Sequence, residues 1–202
     1  MLAGATTNPA IVLKDGCNIR EFCECVSPKP VSVEAAGDFE KEALEYSSIP
    51  NAVIKVPLLR PDGGHNLSVI EKLESHEIQV NCTALFSMSQ FILGARAGAS
   101  YLSLFIGRVD DEGGDWCTML NDCIQWLVRE GIESKVIVGS VRTVGQVLAC
   151  ANLDFPPDYV TVPPAILEKM VMHRFSLETV KQFEAAADTI KAASGSGVVS
   201  NA

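Results

Sequence analysis

The chain has 202 residues, of which 48% are hydrophobic, enough to bury a full core in one domain. Its formal net charge is −9 and no block of like charge occurs, which argues against nucleic acid or an anionic membrane as partner; any phosphate must be met by a few local arginines. Seven cysteines lie mostly within apolar patterns and three histidines are scattered, so they read as reduced core residues of a cytoplasmic protein without a metal site.

Seven apolar runs are predicted as strands, at residues 3–7, 31–35, 52–56, 79–85, 101–106, 135–139 and 159–162. Few of their positions alternate strictly with polar residues, as expected of parallel strands covered by helices. Amphipathic stretches separate them, at residues 18–26, 38–47, 66–76, 89–97, 115–130, 143–151 and 164–172, and a last helix is predicted over 177–193. Ser68 and Glu71 have capping-box spacing one turn late, Ser176 suits a cap, Pro164 suits a first turn, and Gly98 and Gly131 suit helix ends. No stretch reaches the length of a membrane span, and the segment 194–202 is flexible by composition. One domain over residues 1–193 is expected.

Strand–helix alternation of this kind means an α/β fold with a parallel sheet, open or closed. No G-x-G-x-x-G follows the first strand and no P-loop occurs, so a nucleotide-binding sheet loses ground. A TIM (β/α)8-type barrel takes about 250 residues, roughly 30 per unit. Seven strands leave one unit short.

Polar residues sit at one end of nearly every run: Thr7 and Asn8, Glu34, Lys55, Asn81 and Thr83, Ser103 and Arg108, Ser140 and Arg142. In a barrel this end builds the active site. Each residue alone has a plain structural reading. Lys55 can close a strand and reach solvent; Arg108 can pair with the adjacent Asp110 or Asp111; Ser140 and Arg142 can be a cap and a surface cation. The alternative for Lys55 is an amine placed to attack a carbonyl, which requires surroundings that disfavour its protonated form, as a buried strand end does.

Six motifs, Gly4-Ala-Thr-Thr-Asn-Pro9, Val31-Ser-Val-Glu34, Val53-Ile-Lys-Val-Pro57, Asn81-Cys-Thr-Ala-Leu-Phe-Ser87, Phe105-Ile-Gly-Arg-Val-Asp-Asp111 and Gly139-Ser-Val-Arg142, resemble those of the transaldolase family. The similarity is to its small, fructose-6-phosphate-aldolase-like branch, and Thr161-Val-Pro-Pro164 matches too. The resemblance implies transfer of a dihydroxyacetone unit from a ketose phosphate to an aldose phosphate through a Schiff base on Lys55, with no metal or cofactor, in the pentose phosphate pathway. It implies that Glu34 and Thr83 position a water for proton transfer. Asn8, Asn81 and Ser103 would bind the three-carbon unit, and Arg108, Ser140 and Arg142 the phosphate. Glu34 and Phe105 replace a glutamine and a tyrosine of the small aldolases, which favours the transferase over the free aldolase. The resemblance also implies an earlier strand with an acid/base aspartate, which this sequence does not show. An impaired relative that binds phosphosugars is therefore the second reading. Small members form rings through the C-terminal helix, so a homo-oligomer is a further expectation.

Overall fold

The computed structural model describes residues 2–195, so the expected flexible segment lies outside the described residues from 196 onward. The chain divides into two compact units, Met1–Val162 and Pro163–Ala202.

The first unit holds one seven-stranded parallel sheet in sequential order: β1 (Ala5–Thr6), β2 (Val31–Glu34), β3 (Ala52–Pro57), β4 (Val80–Leu85), β5 (Tyr101–Phe105), β6 (Lys135–Gly139) and β7 (Tyr159–Val160). All seven predicted runs are strands. The connections are helical: α1 (Pro9–Asp15), α2 (Ile19–Val26), α3 (Phe39–Tyr46), α4 (Leu67–Ser75), α5 (Met88–Arg96), α6 (Ile106–Asp111), α7 (Trp116–Glu130) and α8 (Val144–Ala151). Two of these, α1 and α6, lie outside the predicted helices. Both are under two turns, too short for a helical hydrophobic period to register.

Alternation along the strands divides the sheet into two chemically distinct faces. Ile54, Val56, Val80, Cys82, Leu102, Leu104, Val136 and Val138 face the helices and join Ile70, Leu73, Phe91, Leu120 and Leu127 in one buried core. At about 1.5–3 kcal/mol per large apolar side chain removed from water, this layer is the main source of stability. A smaller cluster places Val31 and Val33 of β2 against Cys23 of α2. Helix ends follow their local chemistry: Asn8, Asn18, Asp38, Ser87, Asp115 and Thr143 each accept a backbone N–H at an N-terminus. Gly131 ends α7 in the left-handed conformation.

The sheet is strongly curled. On a flat sheet, strands two apart lie about 9.5 Å from each other. Yet Asn81 of β4 donates to Ser32 of β2 across β3 at 3.1 Å, and Lys55 of β3 reaches the carbonyl of Thr7, past β1, at 2.8 Å. The inner face is therefore concave. With β1 and β7 at its two edges, the sheet forms an incomplete barrel, an α/β TIM-type fold with seven strands among the described residues.

The second unit contains α9 (Pro164–Val171), with Pro164 in its first turn, and α10 (Arg174–Gly195). The last helix starts before the expected Ser176 cap and ends beyond residue 193. It carries an Arg174–Glu178 ion pair and exposes Phe175, Leu177, Val180, Phe183 and Ile190. Among the described residues no helix is long and apolar enough to cross a membrane.

Candidate active site

The concave face carries the polar side chains that the helix-facing side lacks. Register aligns Glu34 of β2 with Lys55 of β3, Lys55 with Asn81 of β4, and Pro57 with Thr83. Parallel partners project to the same side, so Glu34, Lys55, Asn81 and Thr83 share the concave face, with Ser32 and Ser103 at positions of the same parity. Ser32, Lys55, Asn81, Thr83 and Ser103 are all buried.

Lys55 is the cation of this face. Its Nζ lies 2.8 Å from Glu34 Oε2 and donates to the Thr7 carbonyl at 2.8 Å, with only 6% of the side chain exposed. The Thr7 carbonyl is held in turn, because Thr7 donates both N–H and Oγ1–H to Ser32 O. The amine is thus buried and within hydrogen-bond reach of one carboxylate and one carbonyl.

Next to this pair, Ser103 Oγ donates to Asn81 Oδ1 at 2.7 Å, and Asn81 Nδ2 donates to Ser32 Oγ at 3.1 Å. Both neighbours are hydroxyls, which can donate or accept, and together they hold the Asn81 amide in place on the concave face. Thr83 differs: its Oγ1 is buried with no hydrogen-bond partner among the described residues. A buried hydroxyl left unpaired costs about 1–3 kcal/mol, which a ligand or water that bonds it would offset. Just beyond, the pairing of β4 and β5 slips between Cys82 and Leu85, and Ala84 takes φ +58. An alanine in the left-handed region is strained. The slip lets Leu85 rejoin the core opposite Leu104 while Thr83 keeps its inward position.

The arginines converge on α6. Gly107 in its first turn lies against the Ser140 carbonyl so closely that a Cβ would sit 1.9 Å from that oxygen. Ser140 itself, just after β6, has φ +60. Arg142 pairs with Asp111, its N–H is accepted by Gln146 Oε1 at 2.8 Å, and Gln146 Nε2 donates to Asp110 at 2.8 Å. The acidic pair after Arg108 thus serves Arg142 and Gln146, which corrects the sequence alternative of an Arg108 ion pair. Arg108 is exposed, and its guanidinium makes no hydrogen bond or ion pair among the described residues. It lines a cleft of about 420 Å³ together with Phe86 and Glu112. Phe86 packs edge-on against Phe105 with ring centroids 5.6 Å apart, which walls the cleft near the end of β5.

Two predicted residues are engaged differently from the rest. Asn8 Oδ1 accepts from the Ile11 N–H and caps α1, so its oxygen is already used. Phe105 offers only ring surface. Sequence reasoning passed over Ser32 and Gln146. A serine inside a valine-rich strand and a glutamine in a helix carry no local signal; their roles arise from contacts 49 and 36 residues away.

A family model described as transaldolase/fructose-6-phosphate aldolase matches residues 1–201. The probable transaldolase of Syntrophomonas wolfei subsp. wolfei is 39% identical over 191 residues, covering 90% of this chain and 86% of that protein. That of an Exiguobacterium species is 36% identical over 192 residues (91% and 86%), and that of Moorella thermoacetica 32% over 199 residues (95% and 90%). With a full-length family match and relatives of this similarity, the chain belongs to the transaldolase/fructose-6-phosphate aldolase family.

Proposed function

We propose that the protein is a Schiff-base transaldolase that moves a three-carbon dihydroxyacetone unit from a ketose phosphate to an aldose phosphate. The observation that carries this reading is the buried Lys55 amine 2.8 Å from Glu34 on the concave face. Glu34 takes the ammonium proton, and the Lys55 nitrogen lone pair attacks the ketose C2 carbonyl. The carbinolamine loses its hydroxyl as water, with the proton returned through Glu34 and a water held by Thr83 Oγ1. The C3–C4 bond then breaks: its electron pair flows into the iminium to give an enamine, and the C4 hydroxyl proton leaves to the same base. An aldose phosphate is released. The enamine carbon next attacks the acceptor aldehyde, whose oxygen takes a proton, and hydrolysis frees the new ketose and the amine. Asn81 and Ser103 bond the hydroxyls of the three-carbon unit. Arg108, with Arg142 exchanging Asp111 for the ligand, takes the phosphate by forked donors.

The test is borohydride trapping with fructose 6-phosphate, read by intact mass. An adduct on the wild-type chain that disappears in Lys55→Met supports the reading; no adduct on the wild type overturns it. An adduct accompanied by product only when erythrose 4-phosphate is added assigns transfer, and product without acceptor assigns free aldol cleavage. An adduct without turnover points to an impaired phosphosugar-binding relative. That second reading is favoured by Glu34 being the carboxylate that contacts Lys55 among the described residues, with no aspartate beside it.

A further inference from the structure

The loop between β3 and α4 is built with more care than a connector needs. Leu59 bridges His65, Arg60 N–H bonds Gly64 O at 2.9 Å, Gly63 N–H bonds Arg60 O at 3.0 Å, and Asn66 N–H bonds Leu58 O at 2.9 Å. Its base is fixed by Asn66, itself buried, which donates to the Pro57 carbonyl at 2.9 Å. This small closed hairpin begins at Leu58, three residues after Lys55 and just past the end of β3.

Its product is the placement of one guanidinium. Asp62 accepts from the Gly64 N–H at 2.8 Å and from Arg60 Nε at 3.3 Å. Arg60 lies over Gly64 so closely that a Cβ there would be 2.2 Å from Nη2, so the missing side chain is what makes room for it. Asp62 takes only Nε, and neither Nη group has a partner among the described residues. The guanidinium lines a second cleft of about 390 Å³ whose other walls include Glu34, Gly37, Phe39 and Pro57. One residue of its wall, Glu34, is also the partner of Lys55, which links the cleft to the buried amine. It lies on the β2 side of Lys55, whereas Arg108 follows β5 on the other side. On a chain of net charge −9, a pre-placed cation with free donors here is a local feature that the general field does not supply.

We propose that this cleft is a second anion subsite, in which Arg60 takes a phosphate or carboxylate on the substrate end remote from the group held at Arg108. Resting on the reading of Lys55 as the nucleophile at C2, the remote end is C1, and the further substrate class, beside the ketose monophosphate whose C1 carries a free hydroxyl, is a sugar with an anionic group at both ends, whose three-carbon unit keeps the C1 anion. A ketose bisphosphate and a 2-oxo-acid sugar phosphate are the two sources of that chemistry. The planar fork of arginine suits either anion.

Calorimetric titration of the full chain, of Arg60→Ala and of Gly64→Ala tests this with fructose 6-phosphate, fructose 1,6-bisphosphate and 2-oxo-3-deoxy-6-phosphogluconate. Gly64→Ala keeps the arginine but displaces its guanidinium, and both sites are on an exposed loop, so urea midpoints serve as the control for folding. At least one two-anion ligand is expected to bind about tenfold or more weakly to both variants, with fructose 6-phosphate changed by less than about twofold. Which of the two responds identifies the anion. Unchanged affinity for both two-anion ligands, or an equal loss for all three, overturns the proposal. Failure of the Schiff-base reading is separate: it removes the borohydride adduct while an Arg60-dependent difference in binding persists.

Discussion

Removing either member of the Lys55–Glu34 pair is expected to have unequal costs, and the inequality follows from burial. The lysine side chain is 6% exposed and Glu34 is 19% exposed. Replacing Glu34 by Leu leaves a buried ammonium facing only the Thr7 carbonyl, a loss on the order of 3–5 kcal/mol. Replacing Lys55 by Met leaves a carboxylate that water can still reach, at about 1–2 kcal/mol. The double variant has no charge to strand and two apolar groups of similar volume, so it returns to within about 1 kcal/mol of wild type. With a urea dependence of about 2 kcal/mol per molar, Glu34→Leu lowers the unfolding midpoint by about 1.5–2.5 M and Lys55→Met by about 0.5–1 M. Equilibrium urea unfolding followed by tryptophan fluorescence and far-ultraviolet circular dichroism measures all four proteins. Equal losses for the two single variants, or a double variant as unstable as their sum, would refute the account of a buried ion pair. Activity separates from stability here: the double variant is expected to be nearly as stable as wild type and to form no borohydride adduct.

Thr83→Val removes a hydroxyl that bonds nothing among the described residues, so its urea midpoint should hold or rise, while turnover falls about 10²–10⁴-fold if that hydroxyl positions the catalytic water. A large loss of stability would show that Thr83 has a structural partner instead. Gly107→Ala puts a Cβ against the Ser140 backbone carbonyl, costing about 1–3 kcal/mol and shifting α6 with Arg108, so affinity for fructose 6-phosphate drops. An unchanged midpoint and affinity would sink the packing argument. Burial pushes the Cys82 thiol from its ordinary value of 9.0 up to about 12, and Cys123 likewise to about 12. A raised folded value means the stabilising contribution is whole below the unfolded value of 9.0 and is lost as pH climbs toward about 12. Urea midpoints should therefore fall between about pH 9 and about pH 12, and fall less in Cys82→Ala; an identical slope in that variant would remove Cys82 from the account.

The sequence by itself determined the layered architecture. A parallel strand covered by helices must be apolar on one side and is short, so runs such as Val53-Ile54-Lys55-Val56 announce both the strand and the one residue that does not belong in a core. The same pattern puts Glu34, Lys55, Asn81, Thr83 and Ser103 in or at the end of their strands; the register between strands is what sets them on a common face. Folding decided how those residues meet. Curling of the sheet, a property of all seven strands together, brings Asn81 within reach of Ser32 and Lys55 within reach of Thr7. It also decided which acid answers which arginine. Sequence adjacency suggested Arg108 with Asp110 or Asp111, but on α6 the guanidinium of Arg108 has no partner among the described residues, while Asp111 pairs with Arg142 and Asp110 with Gln146. Local sequence specifies which face a side chain takes, because that depends on backbone geometry over two residues. Which partner it finds there depends on loop closures tens of residues long, and only the assembled barrel sets those.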